Sequence, residues 1–116
     1  MSYSTTGKNA MLNALAALAV YGSLHATDPG NTGAGEIAGG SPAYARKSLT
    51  WSAASGGSAS ISNVPVFDVE AGDTVAYVGL WSAVTSGSFY GSADVTDEVY
   101  GAQGTYTLLT FTASIT

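Results

Sequence analysis

His25 is the only imidazole in the chain, so acid–base chemistry that needs one must use it. Serines and aspartates are plentiful, but no Gly-x-Ser-x-Gly elbow presents a serine nucleophile. His25 ends the short strand-like run Val20 to His25, a place that favours bonding to backbone over catalysis. Asp68 and Glu70 share strand parity and project from one face. Asp94, Asp97 and Glu98 are close enough in sequence to offer oxygens to a cation, yet their spacing matches no calcium loop. Solvated turn acids explain them more simply. Paired carboxylates can hydrolyse glycosides only at a defined separation, which no pair here specifies. Gly33-Ala34-Gly35 lacks the spacing and following helix of a dinucleotide site, and no Gly-Lys-Ser/Thr occurs. Cysteine is absent, which removes disulfides and thiolate metal sites. No catalytic, metal or cofactor-binding residue is assigned, and a non-enzymatic protein is expected.

Two further groups of side chains can bind. Arg46 and Lys47 are adjacent, so they project to opposite faces of a strand and make a charged strand entry, not a phosphate patch. Among the aromatics, Trp51 and Trp81 sit between apolar neighbours and are expected in the core. Tyr90 and Tyr100 flank glycine turns and are the candidates for stacking on a sugar ring.

The elements that position these residues follow from composition and period. The 116 residues suffice for one domain, 1–116. Only 9% are charged, and Gly, Ser, Ala and Thr supply more than half. Three cations against eight acids leave a net charge of -5, which disfavours binding to nucleic-acid phosphates or anionic membranes. The most apolar run, Ala10 to Tyr21, is too short to span a bilayer, so no membrane insertion is expected. Its alanine content and polar lead-in argue against a signal peptide.

Residues Thr5 to Ala19 carry Leu12, Leu15 and Leu18 at helical spacing, with Thr5 or Thr6 available as a cap. Ala26 to Pro42 is dense in turn residues and reads as a long ordered or semi-ordered loop, of a length that is usually functional or flexible. The stretch from residue 43 to 116 alternates in short segments separated by Gly/Ser turns. Thr74 to Ser82 is apolar on both faces and is expected to be a central, doubly covered strand. Phe89 to Ala93 reads as short, Asp94 to Tyr100 as irregular or strand-like, and Thr105 to Ile115 as one final strand. The fold class is mainly β: an antiparallel, jelly-roll-like β-sandwich with one N-terminal α-helix.

Four segments carry a likeness to a known family. They are Thr6-Gly7-Lys8-Asn9-Ala10-Met11-Leu12; Ser23-Leu24-His25 with Asp28-Pro29-Gly30 and Gly33; Ala43-Tyr44-Ala45-Arg46-Lys47 to Thr50-Trp51; and Val78-Gly79-Leu80-Trp81-Ser82 with Phe89-Tyr90-Gly91. In order and spacing the chain resembles small virion proteins of tailed phages, of the tail fibre or minor tail protein type found in actinobacteriophages. The resemblance implies a virion location and contacts with copies of itself and with other virion proteins, from the tail or the major capsid protein. Low charge and a turn-rich loop suit such contacts. Contact candidates are Thr5 and Thr6 in the N-terminal segment, then Asp28, Pro29 and Asn31, then Glu36, Ile37 and Arg46. The expected role is a tail-tip or fibre-associated structural protein. A capsid decoration protein, a carbohydrate-binding module and a small hydrolase are the competing readings.

Overall fold

The computed structural model describes residues 1–116. It is mainly β, with antiparallel sheets and a single N-terminal helix. Helix α1 spans Thr5–Leu18. Its cap is Ser4, whose Oγ accepts from the Gly7 backbone N–H at 3.1 Å; Thr5 and Thr6 already lie in the first turn. The eight strands are β1 Tyr21–His25, β2 Lys47–Ser48, β3 Ser58–Ser60, β4 Val66–Val69, β5 Thr74–Trp81, β6 Phe89–Val99, β7 Gly104–Thr107 and β8 Thr112–Ser114.

One four-stranded sheet has the order β2-β1-β5-β6; β3 pairs with β8 and β4 with β7 as two-stranded ribbons. β5 is the central strand, between β1 and β6, as its two apolar faces require. One sheet face carries Leu24, Val78 and Leu80 into the main core. There they meet Phe67 and Val69 of β4, together with Leu49, Leu108 and Phe111. That is a sandwich-like burial of sheet against ribbon. α1 rests on β3, and Asn9 and Asn13 accept from the backbone N–H groups of Gly57 and Ala54 at 2.9 Å each.

Three segments differ from the sequence reading. Phe89–Val99 is a single strand of 11 residues, with register shifts opposite Val75/Tyr77 and Leu80/Trp81. Burial alternates from Phe89 through Thr96 and is lost only over Asp97–Val99, which are all exposed. The final strand divides into β7 and β8 because Leu108 and Phe111, three residues apart, both turn into the core and redirect the chain from one ribbon to the other. The β layer also begins earlier than residue 43, since β1 is bonded along its whole length to β5.

The loop from Ala26 to Pro42 covers the other sheet face. Pro29 is buried, the Asp28 side chain accepts from the Gly30 N–H at 2.9 Å, and further along Ile37 N–H donates to Leu24 O at 3.1 Å while its side chain joins the main core. Gly33, at φ +77°, lies directly on the Trp81 ring, where any side chain would overlap it. The loop is therefore held against the sheet by contacts within its own domain.

Candidate functional site

Where this loop crosses the sheet it encloses a cluster of polar side chains. β1 alternates, so Ser23 and His25 share the face opposite Leu24. Gly79 stands across from Ser23 on β5, and its lack of a Cβ makes the room that Ser23 Oγ and the His25 ring occupy. Ser23 Oγ lies 2.6 Å from His25 Nε2, and His25 Nδ1 lies 2.8 Å from Ala34 O. A carbonyl only accepts, so Nδ1 carries the proton and Nε2 accepts from the Ser23 hydroxyl. Ser23 Oγ in turn accepts from Trp81 Nε1–H at 2.9 Å. Every donor in the chain Trp81–Ser23–His25–Ala34 has one acceptor.

A second network seals the loop from outside. Glu36 accepts from Tyr44 Oη–H at 2.7 Å and from Arg46 through Nε at 3.0 Å and Nη2 at 2.9 Å. Arg46 Nη1 donates to the carbonyls of Ala83 and Ser86 at 3.0 and 2.8 Å. Its guanidinium lies 3.7 Å from the Trp81 ring centroid, a cation–π stack. Tyr44 Oη also accepts from the Leu24 N–H at 3.0 Å. One arginine thus ties the loop, the β2 entry and the β5–β6 turn together. A shallow groove of about 320 Å³ runs over this clamp, lined by Glu36, Tyr44, Arg46, Val84 and Ser86 among others.

The electrostatics follow from burial. Desolvation holds His25 below its ordinary 6.5, outweighing the opposing effects of the Ala34 bond and Glu36. Burial by itself would raise Glu36, but hydrogen bonds from Arg46 and Tyr44 prevail and hold it below its ordinary 4.5. Burial first, then the bond to Glu36, pushes the Tyr44 hydroxyl far above its usual range.

Acid should therefore unfold this protein in two stages. The unfolded chain binds a proton at His25 more tightly than the folded one, so stability is full above pH 6.5 and declines as pH falls below it. Glu36 adds a second decline below pH 4.5, where the unfolded chain again takes up the proton first. Each contributes a slope of at most about 1.4 kcal/mol per pH unit. Urea unfolding between pH 8 and 3 measures this. His25→Gln should abolish the first decline and leave the second; a wild type equally stable at pH 8 and pH 5 would contradict the assignment.

Ser23 and His25 have the hydrogen bond of a nucleophile and its base, but both are fully buried and the Phe89 ring lies edge-on to His25 at 6.3 Å. No face of the pair is open to a substrate, and the nearby carboxylate is spent on Arg46 and Tyr44. The remaining acids do not converge: no three of His, Asp and Glu come close enough to hold a metal ion.

The expected contact and binding residues separate into two sets. Thr5, Thr6, Asp28 and Asn31 are exposed. Pro29 and Ile37 lie in the interior, and Glu36 and Arg46 form the clamp, their side chains 22% and 9% exposed. These four are occupied within the domain, because the loop that carries them folds onto the sheet. Tyr90 is exposed, but Tyr100 is not: it is a core residue whose hydroxyl donates to Thr105 O at 2.8 Å. The paired tyrosine platform is thereby corrected. Glycine neighbours at Tyr100 mark a tight turn over the ring, not an open surface, and β6 separates the two tyrosines by roughly 30 Å. The Glu36–Arg46–Trp81 clamp was missed in the sequence because its parts lie ten and 35 residues apart. The faint signal was the scarcity of cations, with Arg46 placed between two aromatics.

A family model described as "Gp80: Podophage GP4 fiber I protein gp80" matches residues 2–114 of the chain. No curated protein matches it.

Proposed function

The chain belongs to the podophage GP4 fiber I protein gp80 family, a virion component, and from that premise we propose that it is a tail-tip or fibre-associated building block that works through protein–protein contacts. The observation that carries the reading is the family match across nearly the whole chain. The geometry supports it in two ways. The reactive pair Ser23–His25 is sealed, and the long loop is locked to the sheet by an ion pair, a cation–π stack and backbone bonds. A rigid part that keeps its shape in a particle needs such a lock more than a turnover site does. Its neighbours are copies of itself and other virion proteins, reached through the exposed residues Thr5, Thr6, Asp28 and Asn31. Few surface charges limit the desolvation cost of those contacts.

Immunogold labelling or cryo-electron microscopy of intact particles tests the location. Label at the tail supports the proposal. Label over the head overturns it in favour of a capsid decoration role. Substituting exposed loop positions, as in Asn31→Arg, should reduce incorporation into particles without changing the thermal midpoint. A carbohydrate-binding role has Tyr90 as its remaining exposed aromatic candidate; Tyr90→Ala with unchanged host adsorption would remove it.

A further inference from the structure

The four-stranded sheet ends on β6, and no strand of the domain pairs with its outer edge. β6 is 11 residues long, where strands average about 5–6. Which of its backbone groups are left over follows from β1. The Leu24 N–H donates to Tyr44 Oη and Leu24 O accepts from Ile37 N–H, so both groups turn away from β5. Leu24 and Val78 are therefore a non-bonded pair of the ladder, and the Val78 groups turn away from β1, toward β6. There they meet Ala93. Ser92 and Asp94, on either side of Ala93, must then point N–H and C=O outward. No bond from another segment reaches them. The ladder is regular over Gly91 to Asp94, between the register shifts at Leu80/Trp81 and Val75/Tyr77.

The two faces of this window differ. Ala93 and Val95 are half-buried against the core, and an apolar side chain beside them would extend it. Ser92 and Asp94 are exposed, on the face that carries Tyr77. Asp94 above all, then burial, Asp28 and Asp97, holds the Tyr77 hydroxyl above its ordinary 10, so three carboxylates act on one spot. None of them has a cation, because the only ion pair in the molecule is Arg46–Glu36. Charge on an edge strand repels other edges. Here it is all of one sign, which repels acidic strands and attracts basic ones.

This chain does not supply the complement. Lys8 lies on α1, Arg46 is spent in the clamp, and Lys47 is on β2, already bonded to β1. Two β6 edges brought together would set the acids of one copy against those of the other. We propose that the Gly91–Asp94 edge receives an extended segment of a different virion protein as an added strand, with Lys or Arg on the Asp94 face and apolar residues on the Ala93 face. Backbone bonds at Ser92 and Asp94 give the grip, and the alternating faces select the sequence. The proposal deepens the structural role above and rests on it for the kind of neighbour.

The test uses the full chain and a capped peptide alternating lysine with valine, Lys-Val-Lys-Val-Lys, beside its counterpart Glu-Val-Glu-Val-Glu. A short added strand binds weakly, so the titration runs to about 10 mM peptide, where even a millimolar contact is largely formed. Read by NMR, the lysine peptide should slow hydrogen exchange at the Ser92 and Asp94 amides roughly tenfold, and the glutamate peptide should not. Ser92→Pro removes one outward N–H and leaves the bonds to β5, so it should abolish the protection at Asp94 with an unchanged circular dichroism spectrum. Asp94→Asn/Asp97→Asn keeps the edge and should weaken binding about fivefold. The proposal is overturned by signal shifts without protection of these amides, by equal protection with the glutamate peptide, or by a Ser92→Pro chain that protects Asp94 as the wild type does. Protection that grows with protein concentration in the absence of peptide also overturns it, by giving the edge to a second copy. All of these are read on the purified chain and none alters where immunogold label falls on the particle, so the two readings fail independently.

Discussion

Trp81→Ala should lower the unfolding free energy by about 3–5 kcal/mol, the range for a buried aromatic truncated to alanine. Trp81 is 8% exposed and is the piece on which both sides of the loop arrangement rest. Gly33 lies against one part of its ring, Phe89 packs at 5.1 Å between centroids, and Arg46 stacks over it. Its Nε1–H also satisfies Ser23 Oγ inside the buried chain to His25. Truncation therefore opens a large void and removes a buried donor at once. For a domain of this size the thermal midpoint should fall on the order of 10–25 °C. Trp81→Phe separates the two effects, because it keeps most of the volume and loses only the donor and part of the stack. It should cost about 1–3 kcal/mol. Urea unfolding of both variants measures the difference. A loss below 1 kcal/mol for Trp81→Ala would mean that the loop does not depend on the ring.

Arg46→Met should cost about 2–4 kcal/mol, toward the lower part of the range for breaking a buried pair, because Glu36 keeps some contact with solvent. The loss comes from what is stranded more than from the bond itself. Glu36 would keep its charge among Tyr44, His25 and the loop backbone, and the carbonyls of Ala83 and Ser86 would lose their donor. Two controls give the prediction its content. Arg46→Met/Glu36→Gln should recover part of the loss, since no uncompensated carboxylate remains. Arg46→Lys should not, because an ammonium cannot fork to one carboxylate, reach two carbonyls and lie flat on an indole together. Limited proteolysis adds a local readout: cleavage between residues 26 and 45 should accelerate in Arg46→Met before global unfolding is detectable. If Arg46→Lys matches the wild type in both assays, the clamp acts as a simple charge pair and its geometry is incidental.

These two residues also show where sequence and structure part. The placement of Trp81 in the core was readable, because Thr74 to Trp81 is apolar on both faces and such a strand must be covered twice. What covers its second face was not readable. The covering is a glycine-rich loop whose turn residues announce bends but no destination. Arg46 reads as a charged strand entry from its neighbours alone, and it becomes a clamp only when Glu36 and Trp81 arrive beside it. Tyr100 differs for a related reason: a tyrosine next to Gly101 reads as exposed from its neighbours, and only the fold brings the β7 backbone to accept its hydroxyl.

By itself, the order of residues determined the local elements: a capped helix near Thr5–Leu18, a central β5, antiparallel short strands, and a net charge of -5 with only three cations. Those properties depend on period, propensity and charge, each expressed within a few neighbouring residues. Only the tertiary structure decided that Ser23 and His25 are closed off, that the 26–42 loop folds over them with Pro29, Gly33 and Ile37 buried, and that Met11 and Leu18 of α1 stay exposed. Each of those outcomes depends on which distant segments share a volume. Exposure is a property of the packed whole, and no stretch of sequence carries it alone.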